Sequence, residues 1–158
     1  MDTDITLDAI DRRILQALQA QGRMTYDELA AGVNLSASAT LRRVKRLEES
    51  AVITGYVALV APERVGLGLT AYINVRLAKA SAQRSPIDAF AAAVQAWPEV
   101  VECAALTGEM DYLLRVLVRD MAHYSSFIMD SLLKHPAVQD CKTSFMMRRL
   151  KGTTAVPV

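Results

Sequence analysis

The residues best suited to chemistry lie in one short segment, 36–46, which combines hydroxyl and guanidinium side chains. It opens with small and hydroxyl-bearing residues and continues with four basic residues within the five positions from Arg42 to Arg46. Hydroxyl groups bond to base edges or phosphates, and guanidinium groups bind phosphates or pair bidentately with guanine. The combination indicates contact with a nucleic acid.

A helical arrangement of this segment separates its side chains into two sides. At about 100° per residue, Leu41 and Val44 share an inner side, whereas Ser38, Arg42 and Arg46 share the outer side. The alternative is an amphipathic helix in solvent, with Arg42 and Arg46 spaced for salt bridges to neighbouring acids. The predicted DNA-contacting residues are Ser36, Ser38, Ala39, Thr40, Arg42, Arg43 and Arg46.

The elements that must position this segment are short helices with recognisable starts. Capping residues predict that three helices begin after Asp8, Thr25 and Ser36, the last running to about Ser50. Asp11 and Glu28 stand at the third helical position after their caps, and Asn34 tolerates a left-handed turn. A short turn between two helices, preceded by a third, is the helix-turn-helix plan, which favours DNA contact over the solvated helix.

A β-rich stretch, 52–60, follows the third helix. It predicts a small wing or hairpin, or a strand that leads into the next domain. Pro62 and the Gly66-Leu67-Gly68 stretch then interrupt the pattern. We therefore predict a DNA-binding domain over 1–60, a linker over 61–68 and a second domain over 69–158.

The second domain has the predicted order β-α-β-β-α-β, so the fold class is α+β with a ferredoxin-like half. Strict alternation over 69–77 indicates a half-buried strand. Ser85-Pro86 and Asp120 are the expected helix starts, and each helix ends before an x-Pro-x-Val sequence.

The same topology predicts a sheet face that the helices leave uncovered. Tyr72, Leu113 and Leu117 fall on that face, and we expect a large apolar surface there that a second copy of the chain covers. Cys103 and Cys141 fall on the second and fourth strands. These are expected at opposite edges of the sheet, so we predict no disulfide between them.

Bulk composition excludes several classes of protein. The net charge of +1 gives no general attraction to nucleic acid, so the DNA argument depends on local charge. Two separated cysteines predict no metal site, and no cofactor motif occurs. His123 has no nearby candidate nucleophile and His135 precedes a proline at a helix end, so we expect no enzyme. Without a signal-peptide pattern or an apolar run near ~18 residues, the chain is expected in the cytoplasm, away from membranes.

Taken in order, several short motifs resemble those of the Lrp/AsnC family, the leucine- and asparagine-responsive regulators of bacteria and archaea. The resemblance covers nearly the whole chain. Two departures are Asn34 and Ala51, where the family often has glycine. The matching motifs are Leu7-Asp8-x-x-Asp11-x-x-Ile14-Leu15, Leu35-Ser36 with Arg43-Val44-x-Arg46-Leu47-Glu48, Val52-Ile53-x-Gly55-Tyr56 and Thr107-Gly108-x-x-Asp111-Tyr112.

This resemblance implies a winged helix-turn-helix and a C-terminal RAM domain that pairs two chains and assembles further, often to octamers. It implies double-stranded DNA as partner, with a palindromic operator suited to a twofold dimer, and a nucleoid-associated regulator of a prokaryote. An amino acid would bind between dimers, Gly108 admitting it close to the backbone and Asp111 holding its α-amino group. The effector-binding residues implied are Thr107, Gly108, Met110, Asp111 and Tyr112.

Two alternatives stay open at this point. Gly108 and Asp111 are also common in ordinary β-hairpin turns, for conformational reasons alone. The chain could also be an amino-acid-sensing module that has no DNA activity of its own. The complete Ser36–Arg46 segment argues against that second reading.

Overall fold

The computed structural model describes residues 6–78 and 86–158, which form two compact units. The first contains residues up to Leu59 together with Lys151–Val158, and the second spans Val60–Leu150. The tail 151–158 therefore packs with the first unit, whereas the sequence predicts it as part of the second domain. The expected cap Ser85 lies outside the described residues.

Three helices build the first unit, and each begins where a local cap predicts. They are α1 (Ala9–Ala20), α2 (Tyr26–Val33) and α3 (Ala37–Glu49). Asp8 and Thr25 form reciprocal capping boxes with Asp11 and Glu28, and Ser36 Oγ accepts the amide of Ala39 at 3.2 Å. The core is formed by Ile14, Leu15, Leu29, Val33, Val44 and Leu47.

Two left-handed residues set the ends of the helix-turn-helix. Asn34 closes α2 with φ +58°, as its turn-forming chemistry predicts. Ala51 follows α3 with φ +57°, at a position where glycine meets no steric penalty. Segment 52–60 contains no regular strand, so no wing forms among the residues that the structure describes. Its backbone groups find no partner strand, although its composition is β-rich.

An antiparallel sheet of four strands forms the second unit. Its strands are β1 (Leu69–Leu77), β2 (Val100–Ala105), β3 (Tyr112–Val118) and β4 (Val138–Phe145), in the order β2-β3-β1-β4. β2 and β4 occupy opposite edges, so Cys103 and Cys141 are separated as expected and both are free.

Helices cover one face of this sheet. They are α4 (Pro86–Ala96) and α5 (Met121–Ser126), the latter capped by Asp120 and continued by a π-helical segment, Phe127–Leu132. The sequence does not predict this change of helical pitch. The alternating β1 residues Ala71, Ile73 and Val75 are fully buried beneath the helices.

The opposite, open face differs from the expectation of a large apolar surface. Tyr72, Leu113 and Leu117 lie on it and are half-buried. Charged residues share this face with them. Arg115 lies between Leu113 and Leu117 on β3 and pairs with Tyr72 of β1, and Arg76 lies two positions after Asn74 on β1. The open face is therefore mixed, and any partner there must satisfy charges as well as cover apolar groups.

Candidate functional site

The outer side of α3 is exposed because its inner side supplies the core of the first unit. Val44 and Leu47 are buried, whereas Ser38, Arg42 and Lys45 point outward. Within the described residues, no ion pair involves Arg42 or Lys45. These two cations are therefore available to an anionic partner such as a phosphate. Lys45 is not among the residues predicted from the sequence to contact DNA, although the helical period places it beside Arg42.

Two of the predicted DNA-contacting arginines form ion pairs with acidic residues at the start of α1. Arg43 Nη1 donates to Asp8 Oδ2 at 2.7 Å and to Asp11 Oδ1 at 2.8 Å, and Arg46 Nη2 donates to Asp11 Oδ2. The Asp11 carboxylate has no solvent exposure, whereas Arg43 and Arg46 are 26% and 46% exposed. Arg46 thus forms a salt bridge, as the alternative expected, with a partner on another helix, and its contact with DNA stays a prediction.

Two residues of this cluster, Asp8 and Arg43, have shifted pKa values. The Asp11 amide and the Arg43 guanidinium, in that order of effect, lower the pKa of Asp8 to about 2. Hydrogen bonds to Asp8 and Asp11 raise the pKa of Arg43. The charged forms of both partners are thus the stable ones, and they fix the orientation of α3 on α1.

The N-terminal turn of α3 presents its predicted residues unequally. Ser36 and Ser38 are exposed, with their hydroxyl oxygens 3.2 Å apart, and Ala39 is half-buried. Thr40 is fully buried, and its hydroxyl donates to the Ser36 carbonyl at 3.0 Å. Thr40 thus stabilises the helix start, and its predicted contact with DNA stays a prediction.

The second candidate site is the turn between β2 and β3, held against the end of β1. Tyr112 pairs with Val75 in the sheet register, and the Asp111 amide donates to the Val75 carbonyl at 2.9 Å. Asp111 Oδ2 accepts the Leu77 amide at 2.7 Å, a bond that does not use Oδ1. Gly108 adopts φ +127°, which side-chain-bearing residues rarely reach.

The other members of this turn lie at different depths. Thr107 and Gly108 are exposed, Met110 is half-buried, and Tyr112 packs against Phe90 with ring centroids 5.1 Å apart. Arg76 contacts the turn from β1, since its Nη2 lies 2.8 Å from Glu109 Oε1. The structure thus brings Met110, Asp111 and Tyr112 to one end of the sheet and adds Arg76, which is not among the residues predicted from the sequence. Its position on β1 opposite the turn is visible only once the strands are paired.

Comparison with known proteins assigns both halves. Residues 7–48 match the AsnC-type helix-turn-helix domain, and residues 70–156 match the Lrp/AsnC ligand binding domain. The chain belongs to the Lrp/AsnC family of transcriptional regulators. Its helix-turn-helix unit and its four-stranded α+β unit are those of Lrp/AsnC structures, which confirms the resemblance read from the motifs.

Individual members of the Lrp/AsnC family match almost end to end. The DNA-binding transcriptional activator DecR of Escherichia coli is 38% identical over 152 residues, covering 96% of this chain and 99% of DecR. A leucine-responsive regulatory protein of Haemophilus influenzae is 40% identical over 147 residues, covering 93% and 87%.

Solved structures of Lrp/AsnC regulators agree with the fold. A transcriptional regulator of Neisseria meningitidis, solved in complex with L-methionine, has a TM-score of 0.93 and 48% identity, covering 96% of this chain and 97% of that one. An AsnC family regulator of Agrobacterium tumefaciens has a TM-score of 0.88 and 36% identity, covering 96% and 97%.

Two further features are absent from residues 6–78 and 86–158. No helix there is long and apolar enough to cross a membrane. No group of three or more metal-ligating side chains comes together in the same residues.

Proposed function

We propose that this Lrp/AsnC regulator binds DNA through the exposed side of α3, with Ser38, Arg42 and Lys45 facing the duplex. The observation that carries this proposal is that Arg42 and Lys45 are exposed cations with no ion pair in the described residues. Arg43 and Arg46 act mainly on the domain, since they hold Asp11 and thereby orient α3. Ser36 and Ala39 let the helix start approach the DNA backbone.

The chain acts on DNA as a homodimer that assembles further, to an octamer. Tyr72, Leu113 and Leu117 on the open sheet face supply apolar area for pairing. Two α3 helices related by a twofold axis fit a palindromic operator, whose half-sites lie about 34 Å apart on one side of the duplex.

An amino acid is the effector, and it binds at the turn 107–112. The similar Neisseria meningitidis regulator was solved with L-methionine, which makes L-methionine the first compound to examine here. At this turn Gly108 offers open space and Asp111 Oδ1 offers an acceptor for an α-amino group. Thr107, Met110 and Tyr112 complete the surroundings of the ligand.

The role of this protein is regulatory and involves no catalysis, and its place is on the chromosome in the cytoplasm. The rival role, an amino-acid sensor without DNA activity, would not require two exposed cations on α3 that form no ion pair with any described residue. That observation favours a DNA-binding regulator.

The experiment that tests this function has two stages. Duplexes that bind the full chain are first selected from a random pool, and their sequences are examined for twofold symmetry. The affinity for the selected duplex is then measured with and without each of the twenty amino acids. We expect a palindromic consensus and a change in affinity with at least one amino acid. Binding without any sequence preference, or without a response to any amino acid, would contradict the corresponding half of the proposal.

A further inference from the structure

Three charged side chains join the β2–β3 turn to the open face of the sheet. Glu109 Oε1 accepts from Arg76 Nη2 at 2.8 Å and from Lys142 Nζ at 3.3 Å. Arg76 lies on β1, and Lys142 lies on β4 opposite Asn74, so both cations stand on the face away from the helices. One carboxylate oxygen of Glu109 therefore accepts hydrogen bonds from two cations on neighbouring strands.

Arg76 is incompletely satisfied in this arrangement. Its side chain is only 33% exposed, and its buried Nε has no hydrogen-bond partner among the described residues. The other contact of Nη2 is the weak acceptor Met110 Sδ, at 3.7 Å. A buried donor without an acceptor costs free energy. Nε and Nη2 point the same way from the guanidinium, as the two prongs that a carboxylate binds bidentately.

Glu109 is an ion-pair partner of Arg76 and Lys142 that another carboxylate can replace at little cost in stability. Its side chain is 71% exposed, and exposed ion pairs contribute little to stability. Lys142 and then Arg76 lower the pKa of Glu109, so this place favours a negative charge. Glu109 accepts from Arg76 Nη2 and Lys142 Nζ. A second carboxylate that accepted from these two donors and also from Arg76 Nε would satisfy one more donor than Glu109 does.

We propose that Arg76 and Lys142 bind the α-carboxylate of the effector, which displaces Glu109 from them. This proposal rests on the proposed function of the turn as an amino-acid site and specifies how that site recognises its ligand. Asp111 caps the amide of Leu77, the residue next to Arg76, so an anionic and a cationic recognition group stand side by side. An amino-acid zwitterion carries the complementary pair of charges.

Calorimetric titration of the full chain with L-methionine, or with the tightest binder among the twenty amino acids, tests this recognition. The amide of the same amino acid, which keeps the amine but lacks the carboxylate, is titrated in parallel. We expect Arg76→Gln to weaken binding of the amino acid at least tenfold. The amide should bind wild type at least tenfold more weakly than the acid does, and Arg76→Gln should not change its affinity.

Arg115→Gln is the matched control. Arg115 lies on the same sheet face, its Nε donates to Glu102 at 3.0 Å, and its pair has nearly the same exposure, 32% and 63%. Loss of binding in Arg76→Gln alone supports the proposal. Unchanged binding in Arg76→Gln overturns it but leaves an amino-acid effector intact. A wild-type chain that binds none of the twenty amino acids overturns both.

Glu109→Gln gives a second, independent test that does not disturb the core. Removing the competing charge should tighten binding of the amino acid several-fold and leave binding of the amide unchanged. Weaker binding of the amino acid in Glu109→Gln would show that Glu109 contacts the ligand, and would overturn displacement. Circular dichroism of each variant checks that the fold is retained.

Discussion

Arg43 on α3 donates a 2.8 Å hydrogen bond to Asp11 on α1, a carboxylate that has no exposure to solvent. Asp11 Oδ2 also accepts the Asp8 amide, which completes the capping box of α1. The Asp11 carboxylate thus caps α1 and fixes the orientation of α3. The orientation of α3 therefore depends on a residue 32 positions from Arg43 in the sequence.

Arg43→Ala should destabilise the chain by about 1–3 kcal/mol, because it removes one partner of a buried charge that Arg46 and a backbone amide still partly satisfy. Thermal unfolding followed by far-ultraviolet circular dichroism measures this change. Lys45→Ala is the control, since Lys45 is an exposed residue of the same helix. Equal melting temperatures for the two variants would show that the Asp11 pair does not anchor α3.

Ala51→Gly should stabilise the chain by about 1 kcal/mol, because Ala51 has φ +57°, where a Cβ atom is strained and glycine is not. Urea unfolding measures the gain. Asn34→Gly is the matched comparison at φ +58°, and we expect a smaller effect because asparagine tolerates this conformation. A destabilised Ala51→Gly variant would refute the strain at this helix end.

Asp8 should make the free energy of unfolding depend on pH in the acid range. Its pKa is lowered from 3.8 to about 2 on folding, so its contribution is fully present above about pH 4 and is lost as pH falls toward 2. Asp8→Asn retains a good cap but removes the charge. The stability difference between wild type and Asp8→Asn should therefore be constant near neutral pH and shrink between pH 4 and 2. A difference that does not change with pH would contradict this linkage.

The tail at 151–158 should contribute to the stability of the first unit. Gln19 on α1 binds both backbone groups of Val156, accepting its amide at 2.6 Å and donating to its carbonyl at 3.1 Å. Gln19→Ala should cost about 1 kcal/mol in urea unfolding, the usual net value of hydrogen bonds with some exposure. Gln21→Ala, at the exposed end of α1, is the control. Indistinguishable variants would show that the tail is held without Gln19.

Local signals made much of the fold predictable. Each cap bonds within three or four residues of its own position, so Asp8, Thr25, Ser36 and Asp120 could be recognised from short motifs. Alternation over 69–77 marks β1 because successive side chains face opposite sides of a sheet.

Contacts between distant residues could not be predicted in the same way. The period of α3 places Arg43 and Arg46 near its outer side, but it carries no information about Asp11 on another helix. The contact of Arg76 with the β2–β3 turn likewise depends on strand pairing. The tail was assigned to the second domain because it follows β4 in sequence, although its contacts are with α1. Only these long-range contacts distinguish Arg43 and Arg46, which hold the domain together, from Arg42.

The most direct test of the account is the affinity of the full chain for its selected duplex, measured by fluorescence anisotropy over a range of salt concentrations. Wild type is compared with Arg42→Ala and with Arg12→Ala, an exposed arginine on α1. Arg42→Ala should weaken binding by about 1–3 kcal/mol if Arg42 reads a base, or reduce the salt slope by about 1 if it binds a phosphate. Arg12→Ala should match wild type. An affinity and salt slope for Arg42→Ala equal to those of wild type would contradict the claim that the exposed side of α3 binds DNA.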